Sequence, residues 1–147
     1  MAHIKKTIFI NAGLEKVYSV ARDPKQWSTW FAGLTEPDKV TGNGEVGTIV
    51  EAKYLMGGTQ FPVTTRVVED KLSQDEANWK GKIEGPLSGE QTWTYRAREG
   101  KTEVTVDVEY TVPGSALGKI ADRLIIEKMQ ERSTDLTLEN LKSLCET

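Results

Sequence analysis

The chain begins with an alternating pattern and then changes to helical spacing. Isoleucines fall on one parity between His3 and Ile10, which predicts a strand over His3–Ile10. A short helix is expected over Gly13–Ala21, with Asn11 as its N-cap. The positions that this helix is predicted to bury are Leu14, Val17 and Val20.

A second short helix is predicted immediately afterwards. Asp23 is its expected N-cap, and Pro24 suits the first helical position because its missing N–H needs no partner there. Trp27, Trp30 and Phe31 follow at three- and four-residue spacing and therefore share one helix face. Such a face most often packs against a core.

From about residue 38 to residue 112 the hydrophobic period is two. Turn pairs such as Gly57-Gly58 divide this region into strand-length pieces. In the last piece the even positions from 102 read Thr, Val, Val, Val, Tyr and Val, whereas the odd positions from 103 read Glu, Thr, Asp, Glu and Thr. One-sided strands joined by short turns predict an antiparallel sheet with one face in water.

One long helix is predicted over residues 116–144, a stretch that contains a single glycine and no proline. At 1.5 Å per residue it would be roughly 40 Å long. The expected radius of gyration is only about 15 Å, so this helix must lie across the molecule. Its apolar residues recur mostly every four positions, and Ser133-Thr134-Asp135 is a place where it is expected to bend.

Length and composition fit one soluble domain over residues 1–147. The chain is 37% hydrophobic and 28% charged, with a formal net charge of −3, which disfavours a nucleic-acid partner. No apolar run is long enough for a transmembrane segment, and no secretory signal is visible. A single cysteine, Cys145, fits a reducing compartment, so a cytoplasmic location is expected.

Few residues offer catalytic or metal-binding chemistry. His3 is the one histidine, and it is far in sequence from Cys145. One histidine and one cysteine alone cannot form any of the usual metal or redox sites, although carboxylates could still bind a hard cation, so no cofactor is expected. Asp107 and Glu109 share one face of a strand, but it is the polar face. No paired acid and base is therefore predicted on the apolar face.

The order of elements and several segments resemble one superfamily. The segments are "IKKTIFINAGLEKVYSVARDPKQWSTWF", "GEVGTIVE" and "GEQTWTYRAREGKTEVTVDVEYTVPGSALGKIADRL". They are similar to the START/Bet v1-like (SRPBCC) superfamily, most of all to its polyketide cyclase/dehydrase branch. The resemblance implies an α+β helix-grip fold: a curved seven-stranded antiparallel sheet around a long C-terminal helix, with two short helices after strand 1. It also implies a hydrophobic cavity between sheet and helix.

Strand parity and helix position select the candidate cavity residues. The large rings share the apolar face, where core packing and cavity lining are both open to them. Gln91 and Thr65 are polar positions on that face, and for Gln91 a bond to backbone is slightly favoured over a ligand contact. The predicted lining is Trp30, Tyr54, Phe61, Thr65, Trp79, Gln91, Trp93, Tyr95, Leu124 and Ile125.

Small residues on the same strand faces as the rings predict that side chains do not fill the cavity. Ala77, Gly81, Gly89 and Ala97 alternate with the rings, so a straight helix across this uneven face should leave a pocket of several hundred Å³. We expect its mouth near Trp30 and the Gly57-Gly58 turn, and we expect Gly89→Leu to fill it.

Three functions fit these expectations. The first is binding or transport of an apolar small molecule (a lipid, isoprenoid or polyketide-like compound) by a monomer or weak homodimer. The second is a cyclase- or aromatase-like enzyme, although no catalytic residue is assigned and an enzyme is the less expected reading. The third is a protein-interaction module of the chaperone-activator type, which the charged pattern over 103–109 disfavours.

Overall fold

A computed structural model describes residues 2–111 and 123–147. Its centre is an antiparallel sheet of seven strands in the order β1-β7-β6-β5-β4-β3-β2. The predicted α+β helix-grip fold is confirmed. The strands are β1 Ala2–Ile10, β2 Lys39–Thr41, β3 Ile49–Met56, β4 Thr59–Leu72, β5 Glu76–Glu84, β6 Ser88–Arg98 and β7 Lys101–Thr111.

Within the described residues, two short helices and one long helix accompany the sheet. Helix α1 spans Leu14–Ala21, a 3-10 turn spans Pro24–Gln26, α2 spans Trp27–Trp30, and α3 spans Arg123–Cys145. The predicted start of the long helix at 116 falls outside the described residues, while its end agrees to within one residue. No helix in the described ranges is both long enough and apolar enough to cross a membrane.

The start of α1 differs from the prediction. Its N-cap is Gly13, which makes no side-chain capping bond, and the backbone N–H of Asn11 instead donates to Glu146 Oε2 at 2.8 Å. Val20 is half-buried at the edge of the interior stripe, because each residue turns the helix by about 100°. The fully interior positions are Leu14, Val17, Tyr18 and Ala21.

Asp23 caps the next element as predicted. Its Oδ1 accepts a hydrogen bond from the Lys25 backbone N–H at 3.1 Å. The segment begins as a 3-10 turn, and only Trp27–Trp30 is α-helical.

The Gly57-Gly58 pair forms the β3–β4 turn with φ of +60° and +81°, the left-handed conformations that a two-residue hairpin requires.

A register shift in β4 changes which of its residues face the helices. The shift lies between Val67 and Glu69, and beyond it Asp70 pairs with Trp79 of β5. Asp70 thereby faces α1, where it accepts hydrogen bonds from Tyr18 Oη at 2.5 Å and from Arg22 Nη2 at 2.7 Å. This three-residue network fixes α1 to the middle of the sheet.

Two apolar clusters of described residues form the interior. The larger joins α1, α2 and the sheet to the C-terminal half of α3, where Leu138, Leu141 and Cys145 are buried. The smaller contains Met56, Phe61, Val63 and Leu87, and Ile126 and Met129 of α3 pack against it. Helix α3 therefore contacts a different cluster at each end, and its middle spans the space between them.

Candidate functional site

An apolar cavity lies between the inner face of the sheet and α3. The space open to the centre of a water molecule is about 120 Å³. If this space is treated as a sphere and extended on every side by the radius of a water molecule, the whole cavity has a volume of roughly 400 Å³. The described lining comprises Ile4, Ala21, Trp27, Trp30, Phe31, Leu34, Tyr54, Val63, Thr65, Trp79, Gly81, Ile83, Leu87, Ser88, Gln91, Trp93, Tyr95, Val106, Val108, Tyr110, Gln130, Ser133, Thr134 and Thr137.

Rings from the strands and from α2 meet edge to face around this cavity. The centroids of Trp27 and Trp79 are 5.6 Å apart, and those of Trp30 and Trp93 are 5.5 Å apart. Such contacts favour one fixed arrangement of the rings.

Seven of the ten predicted residues line the cavity: Trp30, Tyr54, Thr65, Trp79, Gln91, Trp93 and Tyr95.

Three predicted residues are not among the lining. Phe61 is buried in the smaller cluster, where it packs with Met56 and Leu87. Leu124 and Ile125 are 67% and 48% exposed, so these side chains do not face the sheet. The prediction failed on α3 because it assumed that the most apolar face of the helix covers the cavity.

The face of α3 that covers the cavity is polar. It carries Gln130, Ser133, Thr134 and Thr137, at spacings of three, one and three residues. Ser133 and Thr134 are weak helix formers and predict a bend at this place. They lie within continuous α3, and their short side chains leave the space below the helix open.

Hydrogen bonds hold these polar groups in place. Tyr54 Oη donates to Gln130 Oε1 at 3.1 Å and lies 3.2 Å from Ser133 Oγ. Thr134 Oγ1 donates to the Gln130 carbonyl at 2.8 Å, and the backbone N–H of Ala32 donates to Thr137 Oγ1 at 3.0 Å. Most polar groups on this side of the cavity therefore already have hydrogen-bond partners within the protein.

The small residues predicted to open the cavity have different positions. Gly81 lines it, whereas Ala77 is buried in the larger cluster and Ala97 packs against that cluster. Gly89 lies outside the described lining, and a Cβ there would come within 2.1 Å of the Glu109 carbonyl oxygen. Gly89→Leu would therefore disrupt the β6–β7 pairing rather than fill the cavity.

The expected mouth also needs correction. Gly57 and Gly58 are not among the described lining residues, and Trp30 is only 3% exposed. Ser88, at the start of β6, is the exposed residue of the described lining.

All four tryptophans line the cavity, but their indole N–H groups differ. Trp27 Nε1 donates to the Ala21 carbonyl and Trp93 Nε1 to Gln91 Oε1, each at 2.9 Å. The side chain of Gln91 thus bonds an indole, not the backbone partner that was favoured from sequence. The indole N–H groups of Trp30 and Trp79 are buried, and none of the described residues accepts a hydrogen bond from them.

Charge is kept away from the cavity. No Asp, Glu, Lys, Arg or His is found among its described lining residues. Burial raises the pKa of the Tyr95 hydroxyl well above its usual value, so this group is neutral at physiological pH. Burial likewise raises the pKa of Cys145 to about 11, and its thiol lies outside the described lining. The polar groups that the described lining offers to a ligand are therefore hydroxyls, an amide and indole N–H groups.

Residues 1–146 match the sequence model of the family described as polyketide cyclase / dehydrase and lipid transport. The chain belongs to this family. No curated protein sequence matches it.

Solved structures share the fold of this family member at low sequence identity. A protein from Thermus thermophilus, TTHA0849, is 18% identical with a TM-score of 0.76, over 98% of this chain and 97% of the other. The Zhui aromatase/cyclase from Streptomyces sp. R1128 is also 18% identical with a TM-score of 0.76, over 99% and 93%. A START superfamily protein from Mycobacterium smegmatis is 14% identical with a TM-score of 0.73, over 98% and 97%.

Proposed function

We propose that this protein binds an apolar small molecule in the cavity between its sheet and α3. The observation that carries the proposal is an interior space of about 120 Å³ lined by aromatic and aliphatic side chains. A few polar groups converge on an otherwise apolar concave site, as in most small-molecule sites. The family description, which includes lipid transport, supports the same reading.

A cyclase-type reaction is the second candidate, and the family description and the fold shared with an aromatase/cyclase favour it. Ring closure by general acid–base catalysis needs an acid or base within reach of the reacting atoms. The described lining supplies no carboxyl, amine or imidazole group, and burial raises the pKa of its Tyr95 hydroxyl, which makes that hydroxyl a weaker acid. Binding without chemistry is therefore the function that the site supports better.

A neutral fluorescent dye, N-phenyl-1-naphthylamine, tests the proposed binding. We expect saturable binding at one site per chain, with enhanced dye fluorescence. Ser133→Leu places a larger apolar side chain in the cavity and should weaken dye binding at least tenfold. Ser143→Leu makes the same change at an exposed position of α3 and should leave the affinity unchanged.

Two results would contradict this function. One is the absence of saturable dye binding by the folded protein. The other is equal loss of affinity in Ser133→Leu and Ser143→Leu, which would place the dye outside the cavity. Far-ultraviolet circular dichroism of each variant verifies that the fold is retained.

A further inference from the structure

The four tryptophans of the cavity form a natural comparison. Each places an indole at the same apolar site, and two of the four N–H groups already have acceptors within the protein. Trp30 and Trp79 are 3% and 8% exposed, and their N–H groups have no acceptor among the described residues. Native proteins rarely leave a buried donor unpaired, because its lost hydration is not replaced.

These two donors define the chemistry of a matching ligand. An indole N–H only donates, so its partner must be an acceptor atom such as a carbonyl, ether or hydroxyl oxygen. A carboxylate or phosphate would also accept, but the described lining holds no cation to offset burial of its charge. A purely hydrocarbon ligand would leave both donors unpaired.

We propose that the cavity selects an uncharged, largely apolar molecule that carries an acceptor oxygen, and that Trp30 and Trp79 donate hydrogen bonds to it. The proposal rests on the proposed function, because it concerns a ligand of the same cavity. It adds the class of ligand and assigns two residues that determine specificity. The neighbouring Trp27 and Trp93 contribute ring surface only, since their N–H groups are occupied.

Three probes of nearly one shape separate these properties. Fluorene is a flat hydrocarbon, 9-fluorenone adds one carbonyl oxygen, and fluorene-9-carboxylate adds a charge. Calorimetry should show that fluorenone binds about five- to tenfold more tightly than fluorene, as one net hydrogen bond provides. The carboxylate should bind more weakly than fluorene.

Phenylalanine variants identify the donors. Trp30→Phe and Trp79→Phe remove the N–H but keep an aromatic ring, so at least one of them should reduce the preference for fluorenone over fluorene to below twofold. The double variant should abolish the preference. Trp27→Phe is the matched control, because its N–H is bonded to Ala21, and it should leave the ratio of the two affinities unchanged.

The outcomes distinguish this proposal from the one on which it rests. Equal binding of fluorene and fluorenone, or a preference that survives in both the Trp30 and Trp79 variants, would overturn the donor assignment while leaving cavity binding intact. Tightest binding of the carboxylate would overturn the assignment of an uncharged ligand. Failure of all three probes to bind the wild-type protein would overturn the proposed function itself.

Discussion

Gly81 and Gly89 lie on adjacent strands, but a Cβ would meet different obstacles at the two positions. At Gly81 it would come within 2.4 Å of Cη2 of Trp79, the outer end of a side chain. At Gly89 it would come within 2.1 Å of a carbonyl oxygen and 2.9 Å of the Tyr110 Cα. A side chain can turn aside, whereas paired backbone cannot move without loss of the strand pairing.

This difference predicts a graded effect of the same substitution. Gly81→Ala should lower the free energy of unfolding by about 1–3 kcal/mol, as in overpacked cores, and should shift the Trp79 indole. Gly89→Ala should cost more than about 3 kcal/mol, because it displaces strand backbone. Urea unfolding measures both values, and near-ultraviolet circular dichroism reports the tryptophan shift. A smaller cost at Gly89 than at Gly81 would contradict this account.

At the residue scale, sequence predicted the sheet side of the site better than its hydrogen bonds. Trp79, Trp93 and Tyr95 lie on the inner face of the sheet because strand parity fixes the face on which a side chain lies. No sequence pattern reveals that Trp27 bonds the Ala21 carbonyl while the indole N–H of Trp79 has no acceptor in the described chain. That distinction depends on distances between elements, which periodicity does not contain.

At the scale of elements, β4 and α1 are held together by a partly buried polar network. Burial opposes ionisation of Asp70, but hydrogen bonds from Arg22 and Tyr18 outweigh it and lower the pKa of its carboxyl group. Burial, together with the hydrogen bond to Asp70, raises the pKa of Tyr18, which stays a protonated donor. Sequence parity missed this network because the β4 register shift turns Asp70 inward.

The network predicts a specific dependence of stability on pH. A carboxyl whose pKa is lower in the folded state stabilises the protein above its unfolded pKa, about 3.9, and loses that contribution as the pH falls through the folded value. Asp70→Asn should therefore destabilise the protein by about 1–3 kcal/mol at pH 7. The difference from wild type should shrink below about pH 4.

Chemical unfolding at several pH values tests the assignment of this effect to Asp70. Asp75→Asn, an exposed change of the same kind, should leave the unfolding free energy nearly unchanged. A destabilisation by Asp70→Asn that is constant between pH 7 and pH 3 would contradict the role of the charged carboxylate. So would an equal effect of Asp75→Asn.

Helix α3 shows why its orientation could not be predicted from apolar spacing. The four-residue steps suggested that Ile125 and its neighbours face the sheet, yet Ile125 is 48% exposed and the cavity faces Ser133 and Thr134. The helix buries apolar residues near its C-terminal end, at Leu138 and Leu141. A helix that spans a cavity needs apolar contacts at its ends and short side chains between them.

At the scale of the whole molecule, the cavity lowers the free energy of unfolding. Series of core truncations indicate about 24 cal/mol for each Å³ of empty cavity, so 120 Å³ corresponds to roughly 3 kcal/mol. That is a large share of the 5–15 kcal/mol that stabilises an ordinary domain. The two apolar clusters on either side of the cavity maintain the fold around this space.

A ligand that occupies the cavity should therefore raise the thermal stability of the whole protein. At a free concentration one hundred times its Kd, a ligand adds about 2.7 kcal/mol by mass action. For a chain of this size that corresponds to an increase in Tm of roughly 5–10 °C. Differential scanning calorimetry with fluorenone should show this increase in wild type. Ser133→Leu should show little or none at the same ligand concentration, whereas Ser143→Leu should respond like wild type. An equal increase in all three proteins would mean that the stabilising ligand binds elsewhere on the molecule.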